Sequence, residues 1–173
     1  HYRGRDLSNH VVVSPDLGNA KQATLLARLL GLPVAAGNKQ RLADDKVVIS
    51  SVVGDVAGKK AIVLDDEIAT GGSIIEIVSR LADFGCAEAS IACTHGLFAG
   101  SAVERLTSAT HISEVVSTNT VPAPENFPGL KVLSVASLFA EAIARIHSGN
   151  SVSTLFNGVD PAYAQPQEPE GLF

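Results

Sequence analysis

The sequence predicts an α/β fold with a doubly wound, mainly parallel sheet and helices on both faces. Short apolar, β-branched runs alternate along the chain with amphipathic segments of helical length, which is typical of strand–helix–strand units. Several of the runs are continuously apolar, and this indicates strands buried on both faces, as in a parallel sheet. The chain has 173 residues, enough to bury a core of its own.

The first third of the chain predicts two strands and a helix. His10–Ser14 is a β-branched run that Pro15 stops, and it predicts a buried strand. From Asn19 to Gly31 the apolar positions have helical spacing, and Gly31 is a natural C-terminal stop. The segments that follow are a short strand at 33–36, a polar loop at 37–45, a β-branched stretch at 46–53 whose length is ambiguous, and a turn at 55–59.

The remainder predicts the centre and the far side of the sheet. The apolar run 61–64 predicts a central parallel strand that ends in Asp65 and Asp66. A Thr-Gly-Gly-Ser loop at 70–73 opens a helix that runs to about Phe84. The later elements are strands at 90–93, 115–117 and 131–133 and helices at 100–106 and 135–147.

Composition excludes several classes of protein. A formal net charge of -5 argues against a nucleic-acid binder that holds phosphates through a basic patch. No apolar run reaches the ~18 residues typical of a membrane span. Because Cys86 and Cys93 are the two cysteines of the chain, they cannot form a disulfide framework, and a cytoplasmic location is the expectation. We therefore expect neither nucleic acid nor membrane among the partners.

The sequence predicts that the chain consists of three segments. Residues 1–8 are polar and lack periodicity, so we expect a polar arm or the end of a missing N-terminal half. Residues 9–156 carry the predicted domain. Residues 157–173 are rich in Pro, Gly and Gln and are expected to form a mobile tail, because they can bury little apolar surface. The chain starts at His1 and contains no Met, which indicates a mature, trimmed or partial chain.

The segment IVLDDEIATGGS, residues 62–73, is the strongest candidate for a binding site. A predicted strand delivers two adjacent carboxylates, Asp65 and Asp66, to its carboxyl end, and ligands of doubly wound sheets bind at that edge. Because the two acids repel a phosphate, they suit sugar hydroxyls or a metal ion that bridges sugar and phosphate.

The same segment continues into a Gly-rich turn at the start of a helix. Free amides and the helix dipole make a helix N-terminus an anion site. Gly71 and Gly72 let the backbone approach a phosphate closely, and Thr70 and Ser73 add hydroxyl donors. The pattern therefore predicts a phosphorylated sugar as ligand. The alternative is an ordinary strand-to-helix turn, capped by Thr70 or Ser73, with surface acids before it.

Six segments in order resemble one family. The loop at 62–73 resembles the phosphoribosyl-diphosphate loop of the type I phosphoribosyltransferase fold, and the set as a whole is similar to the C-terminal half of the ribose-phosphate diphosphokinase (PRPP synthetase) family. Collinear matches with compatible spacing are specific, where a single match would be weak. The segments are VVVSPDLG at 11–18, NKQR at 38–41, GDVAGKKAIVLDDEIATGGS at 54–73, CTHGLFAGSAVERL at 93–106, LSVASLFAEAIARIH at 133–147 and SVSTLF at 151–156.

The resemblance implies a phosphoribosyltransferase-like fold and a specific reaction. The family transfers diphosphate from ATP to the C1 hydroxyl of D-ribose 5-phosphate, which gives AMP and 5-phospho-α-D-ribose 1-diphosphate. It implies Mg²⁺ as cofactor and a homo-oligomer, hexamer or dimer. Asp65 and Asp66 match the acidic pair that holds the ribose hydroxyls. The residues that match the loop around the 5-phosphate are Ala69, Thr70, Gly71, Gly72 and Ser73.

Three further residues match functional positions of the family. Lys39 and Arg41 match the basic pair of a flexible catalytic loop. Attack on the β-phosphorus of ATP spreads charge over phosphoryl oxygens, and cations on a closing loop stabilise that charge. The alternative is two solvated loop charges. Asp16 matches a residue associated with magnesium, and its alternative is a capping acid before Asn19. A strand-end histidine is more often structural than catalytic, so His95 is not assigned to catalysis.

Two departures from the family pattern bear on this prediction. Ala69 stands where many relatives have Asp, so a carboxylate that could act as a base or hold a loop amide is missing. The family's N-terminal half, which with neighbouring subunits supplies most adenine contacts and a metal-binding His, is not in this sequence. As a fragment, the chain should bind ribose 5-phosphate but should not turn over ATP by itself.

Two other functions remain open from the sequence. A stand-alone phosphoribosyltransferase would use the same loop, although the basic pair at 39–41 and the SVSTLF segment favour the synthetase and no separate nucleobase hood is visible. A non-catalytic regulatory or assembly subunit related to the synthetase is compatible with Ala69 and with the missing half, although Lys39 and Arg41 are both present.

Overall fold

The computed structural model describes residues 1–43 and 46–156. These residues belong to two compact units, His1–Ser134 and Val135–Phe173. The strands are β1 (His10–Ser14), β2 (Val34–Ala43), β3 (Lys46–Val53), β4 (Lys60–Ile68), β5 (Glu88–Gly96), β6 (Ile112–Thr118) and β7 (Leu130–Leu133). The helices are α1 (Ala20–Leu30), α2 (Gly72–Asp83), α3 (Ala102–Ser108) and α4 (Ala136–His147), followed by a short 3₁₀ helix, Ser153–Phe156.

The described strands of the first unit form one sheet in the order β3-β2-β1-β4-β5-β6-β7. Neighbouring strands are parallel throughout, except that β2 and β3 are antiparallel. The chain starts at β1, moves outward to β2 and β3, and then returns to β4 on the other side of β1. This reversal brings the carboxyl ends of β1 and β4 together, and such a switch point is where doubly wound sheets bind ligands.

Helices cover both faces of this sheet, as the sequence predicts. On one face, α2 and α3 pack on β-branched side chains of the central strands, and the fully buried residues there include Ile77, Leu81, Leu106, Val63 and Ile91. On the other face, α1 packs through Ala23 and Ala27 on Val12 and Ile62. The alternation of Val11, Val12 and Val13 between the two cores explains why the strand has no polar positions.

The segment after the second predicted strand differs from the expectation. Residues 37–45 are predicted as a loop, but β2 continues to Ala43 and pairs with β3 as an antiparallel ribbon. The pairing with β1 ends at Ala36, so the ribbon extends past the carboxyl end of β1. A two-stranded ribbon can form without packing one face on a core, so its sequence need not alternate apolar and polar residues. A polar ribbon strand is therefore hard to tell from a loop. The β-branched partner strand, KVVISSVV, provided the available clue.

Residues 1–8 dock on the sheet. Tyr2 is only 8% exposed and belongs to the same core cluster as α1. Its hydroxyl hydrogen-bonds with Ser90 Oγ over 2.7 Å, and Ser90 in turn donates to Glu114. Arg5 also donates to Glu114, over 2.7 Å. The polar composition of residues 1–8 did not predict this anchor. The division of the chain into 1–8, 9–156 and 157–173 stays a prediction.

The second unit contains α4 and the 3₁₀ helix that follows it. The predicted helix at 135–147 is confirmed as Ala136–His147. Arg145 ties the unit together, since it donates to Glu141 over 2.7 Å and to Thr154 over 2.6 Å. Four apolar side chains of α4 are between 49% and 69% exposed, namely Leu138, Phe139, Ile143 and Ile146. The predicted tail at 157–173 lies outside the described residues.

Over the ranges that the structure describes, none of the helices has the length and apolar composition needed to cross a bilayer.

Candidate functional site

The acidic pair lies at the carboxyl end of the central strand. The predicted strand stops at Leu64, whereas β4 continues to Ile68, so Asp65 and Asp66 belong to the strand itself. Asp65 is half-buried and Asp66 is exposed. The backbone amide of Asp66 donates to Asp65 Oδ1 over 3.0 Å, and the amide of Glu67 donates to Asp66 Oδ1 over 2.9 Å. These bonds to the neighbouring backbone fix both carboxylates near the strand.

Asp65 is electrostatically perturbed. Burial raises its pKa from the ordinary 3.8 to about 6, and the nearby carboxyl groups of Asp66 and Asp16 contribute in the same direction. At neutral pH the carboxylate is ionised in an environment that disfavours its charge. A ligand that donates hydroxyl hydrogen bonds, or a cation, would stabilise this ionised form.

Asp16 joins the same edge of the sheet from the end of β1. Its Oδ1 accepts a hydrogen bond over 3.1 Å from the amide of Asn19, the residue before α1. The Asn19 side chain donates to Leu64 O over 2.9 Å and thereby ties the β1–α1 loop to β4. Asp16 is close enough to Asp65 for its charge to contribute to the raised pKa of Asp65.

The turn after β4 has the geometry of an anion site. Gly71 is the residue before α2 and adopts φ 75°, ψ 0°, a left-handed conformation that favours glycine. Within the described part of the chain, no side-chain hydrogen bond caps this helix, which disagrees with the alternative of a Thr or Ser cap. The first-turn amides of a helix have no intrahelical partners and attract anions together with the dipole.

These two features line one cavity. It has a volume of about 150 Å³ and is formed by the acidic strand end and the turn, from Asp65 and Glu67 through residues 68–74. One side of it therefore carries carboxylates and the other a helix N-terminus. Such a division suits a molecule with hydroxyls at one end and a phosphate at the other. A larger cavity, of about 460 Å³, lies between residues 2–8 and the end of α1, away from both features.

Lys39 and Arg41 lie on β2, where it pairs with β3 beyond the end of β1. Their backbones are opposite Ile49 and Val47, respectively. The expected loop is thus a β-ribbon on the same edge of the sheet as the acidic pair, because β2 runs parallel to β1. The side chains of Lys39 and Arg41, and the whole of Asp44 and Asp45, lie outside the described part of the chain.

Two further residues near the site, His95 and Arg105, make hydrogen bonds that support the surrounding loops. His95, at the end of β5, is hydrogen-bonded with Thr120 Oγ1 over 2.9 Å, in keeping with the structural role expected of it. Arg105 of α3 donates from Nη1 to the carbonyl of Thr70 over 3.2 Å. The sequence placed Arg105 on a helix, but the proximity of that helix to the turn is a tertiary property.

A metal ion at this edge would have oxygen ligands. Within the described ranges, no three His, Cys, Asp or Glu side chains come together as a ready-made metal site. Mg²⁺, however, is usually held by one or two carboxylates together with substrate phosphates. Asp16 fits that mode, because the Asn19 amide engages Oδ1 and leaves the second carboxylate oxygen available.

Comparison with known proteins identifies the family to which the chain belongs. The model of the phosphoribosyl synthetase-associated domain matches residues 40–157, and the chain belongs to that family. A Streptomyces coelicolor protein, provisionally named a ribose-phosphate pyrophosphokinase, is 55% identical over 159 residues, which cover 91% of this chain and 50% of that protein. A Deinococcus radiodurans ribose-phosphate pyrophosphokinase is 44% identical over 156 residues, 87% of this chain and 48% of its own length.

A solved structure extends the similarity to the fold. The crystal structure of phosphoribosylpyrophosphate synthetase from Mycobacterium smegmatis matches with a TM-score of 0.75 at 39% identity, over 87% of this chain and 48% of that chain. The predicted fold class is thereby confirmed. The chain spans about half the length of the relatives that it matches.

Proposed function

We propose that this chain is the C-terminal, ribose 5-phosphate-binding half of a ribose-phosphate diphosphokinase. The complete enzyme transfers diphosphate from ATP to the C1 hydroxyl of D-ribose 5-phosphate. One observation carries the proposal: Asp65, the first residue of the acidic pair, and a left-handed glycine turn at a helix N-terminus line a single cavity. The names of the relatives and the coverage of about half their length support it.

The two sides of the cavity bind different parts of the ligand. Asp65 and Asp66 accept hydrogen bonds from the ribose hydroxyls, and the charge of Asp65 is thereby stabilised in its half-buried place. The residues of the turn, Ala69, Thr70, Gly71, Gly72 and Ser73, wrap the 5-phosphate with backbone amides and hydroxyls. The sugar is thus held at both ends, which fixes the direction of its C1 hydroxyl.

Lys39 and Arg41 are proposed as the catalytic cations. Their ribbon leaves the sheet at the carboxyl edge, the edge at which the ribose site lies. Movement of the ribbon would bring two positive charges to the phosphoryl oxygens of ATP, where charge develops during transfer. Two cations that act mainly in the transition state raise turnover more than they raise ground-state affinity.

Mg²⁺ is the proposed cofactor, with Asp16 as its protein ligand. When bound, the ion would neutralise charge on the phosphates of the nucleotide. Asp16 is suited to this, since its backbone anchor on Asn19 orients the carboxylate at the strand end. A homo-oligomer, dimer or hexamer, and a cytoplasmic location accompany the proposal as expectations of the family.

Calorimetric titration of this chain tests the ribose site. Ribose 5-phosphate should bind, inorganic phosphate should bind more weakly and compete, and ribose without phosphate should bind weakest. Asp66→Asn should weaken ribose 5-phosphate binding but leave inorganic phosphate unaffected, whereas Asp83→Asn, at the far end of α2, serves as the control. Failure to bind ribose 5-phosphate, or equal affinity for ribose, would contradict the proposal.

Turnover measurements test whether the reaction needs the N-terminal half of the enzyme as well as this chain. With ATP, Mg²⁺ and ribose 5-phosphate, this chain alone should form no AMP, whereas a complete enzyme that contains it should form AMP only when the sugar phosphate is present. Release of diphosphate from 5-phospho-α-D-ribose 1-diphosphate on addition of a nucleobase would favour a phosphoribosyltransferase instead. AMP formation without any sugar phosphate would refute the synthetase.

A further inference from the structure

Backbone hydrogen bonds from the connection between β5 and α3 hold the turn that follows β4. The carbonyl of Ile68 accepts hydrogen bonds from the amides of Leu97 and Phe98, over 3.0 and 3.1 Å, and the carbonyl of Ala69 accepts one from the amide of Ala99 over 2.8 Å. The carbonyls of both residues that enter the turn are therefore engaged by backbone amides of a neighbouring segment.

The next carbonyl, that of Thr70, is engaged by a side chain. Arg105 reaches it from α3, and its Nη1 donates over 3.2 Å. The same helix packs against the adjacent glycine, since a Cβ built on Gly71 would lie 3.6 Å from Leu106 and 3.8 Å from Ala102. Three consecutive carbonyls thus face the β5–α3 side, but the third depends on one exposed arginine.

The direction of a carbonyl fixes the direction of the next amide. In a trans peptide, the C=O of one residue and the N–H of the next point in opposite directions, and the unit is planar and rigid. Since the carbonyls of Ala69 and Thr70 point towards the β5–α3 connection, the amides of Thr70 and Gly71 point away from it. Thr70 and Gly71 both line the cavity.

We propose that Arg105 is a positioning residue that holds the Thr70–Gly71 peptide so that its amide is presented to the bound phosphate. The inference deepens the proposed function and rests on it for the identity of the ligand. With Ala69, the turn has no carboxylate at this position that could hold a loop amide. The hydrogen bond from Arg105 is therefore more important for fixing the turn. The Thr70–Gly71 peptide also requires a restraint because glycine is conformationally permissive, and Gly71 adopts a left-handed backbone.

Hydrogen exchange tests this role without any ligand. The amide of Ile75 donates to the carbonyl of Gly71 over 3.0 Å, so its protection reports on the turn. In Arg105→Met, which keeps the aliphatic stem but has no donor, the Ile75 amide should exchange about three to ten times faster, as expected for the loss of one hydrogen bond. Amides of the central strand β5 should be unchanged. Arg80→Met is the matched control, because Arg80 pairs with Asp83 at the other end of α2.

Affinity tests the consequence for the ligand. Arg105→Met should bind ribose 5-phosphate and inorganic phosphate about three to ten times more weakly, both to the same degree, because the effect is on the phosphate end. Arg105→Lys should recover part of the loss, since lysine can donate to the same carbonyl. If Arg105→Met does not fold, Arg105→Leu, which also has no donor, carries the same comparison.

Several outcomes would overturn the inference. They are unchanged exchange at Ile75, unchanged affinity for both ligands, an equal effect of Arg80→Met, or a fall in thermal stability with affinity preserved, which would indicate a purely structural role. The two proposals fail separately. If the unaltered chain does not bind ribose 5-phosphate, the proposed function fails, whereas the exchange comparison still decides the role of Arg105.

Discussion

Asp65 illustrates how a strand end prepares a binding carboxylate. The strand half-buries its side chain, and its neighbours Asp66 and Asp16 are also acids, so its pKa rises from 3.8 to about 6. The folded state then binds a proton more tightly than the unfolded chain does between these two pH values. Stability contributed by the protonated form is therefore lost as the pH rises from about 4 to about 6.

Neutralising Asp65 should reverse this effect. Asp65→Asn is expected to stabilise the chain at pH 7.5 by on the order of 1 kcal/mol, after allowance for solvent screening at a half-buried site, and to make little difference at pH 3.5. Urea unfolding at the two pH values measures the change. The same variant should lose ribose 5-phosphate binding. A variant that is destabilised at pH 7.5 would contradict the assigned origin of the pKa shift.

Gly71 makes a second prediction at the residue scale. At φ 75° an alanine costs on the order of 1 kcal/mol, although its Cβ would find only ordinary contacts. Gly71→Ala should therefore lose modest stability but a large part of the phosphate affinity, tenfold or more by titration, because a relaxed backbone turns its amides away. Gly129→Ala is the matched control at φ 80° with open space around it; it should lose similar stability and no affinity.

At the scale of elements, the β2–β3 ribbon carries the catalytic prediction. Lys39→Ala should lower kcat at least about a hundredfold in a complete enzyme that contains this chain, the usual loss when a transition-state donor is removed. Binding of ribose 5-phosphate to the chain should change less than twofold, because the cation acts mainly in the transition state. The check is a kcat measurement beside a titration. A large loss of ribose 5-phosphate binding would instead place Lys39 in the ground-state site.

The elements also show which local signals the sequence carries. Helices α1, α2 and α4 were predicted within one or two residues, because apolar spacing and terminal glycines mark them. The ribbon was missed because the run NKQR at 38–41 is polar and shows no alternation of apolar and polar residues that would reveal a strand. The strand β4 was predicted too short because its end is polar in sequence: Asp65 and Glu67 continue the pairing with β5 although neither is apolar.

At the scale of the whole molecule, residues 1–8 act as a strap across the sheet. Because Ser90 donates to Glu114, the Tyr2 hydroxyl is the donor in its bond with Ser90. Burial raises the pKa of Tyr2 to about 12, so the hydroxyl keeps its proton over the whole neutral range. The strap thus links the start of the chain to β5 and β6 through neutral and ionic hydrogen bonds.

Removal of this anchor should measurably destabilise the fold. Tyr2→Ala is expected to cost about 3 kcal/mol, as for a large buried aromatic side chain, and Tyr2→Phe about 1 kcal/mol for the lost hydrogen bond. Arg3→Ala, an exposed neighbour, should change stability by less than about 0.5 kcal/mol. Urea unfolding measures all three. Equal stability of Tyr2→Ala and the unaltered chain would show that the strap is dispensable.

The sequence by itself determined the fold class and the candidate binding loop. Both are local properties: apolar periodicity marks a strand or helix wherever it lies, and the order DDEIATGGS places acids, glycines and a helix start within ten residues. The net charge of -5 sets the expectation that anions are bound by local amides, Mg²⁺ and a few cations rather than by a general positive field.

Only the tertiary structure decided which distant residues support that loop. The charge of Asp16 acts on Asp65 because β1 and β4 are neighbours. Arg105 donates to Thr70 because α3 packs beside the turn, and Tyr2 hydrogen-bonds with Ser90 across the sheet. Each contact joins residues 35 or more positions apart, and no periodicity encodes such a distance. The physical reason is that long-range contacts follow from the packing of whole elements, whereas sequence patterns report the environment of one element at a time.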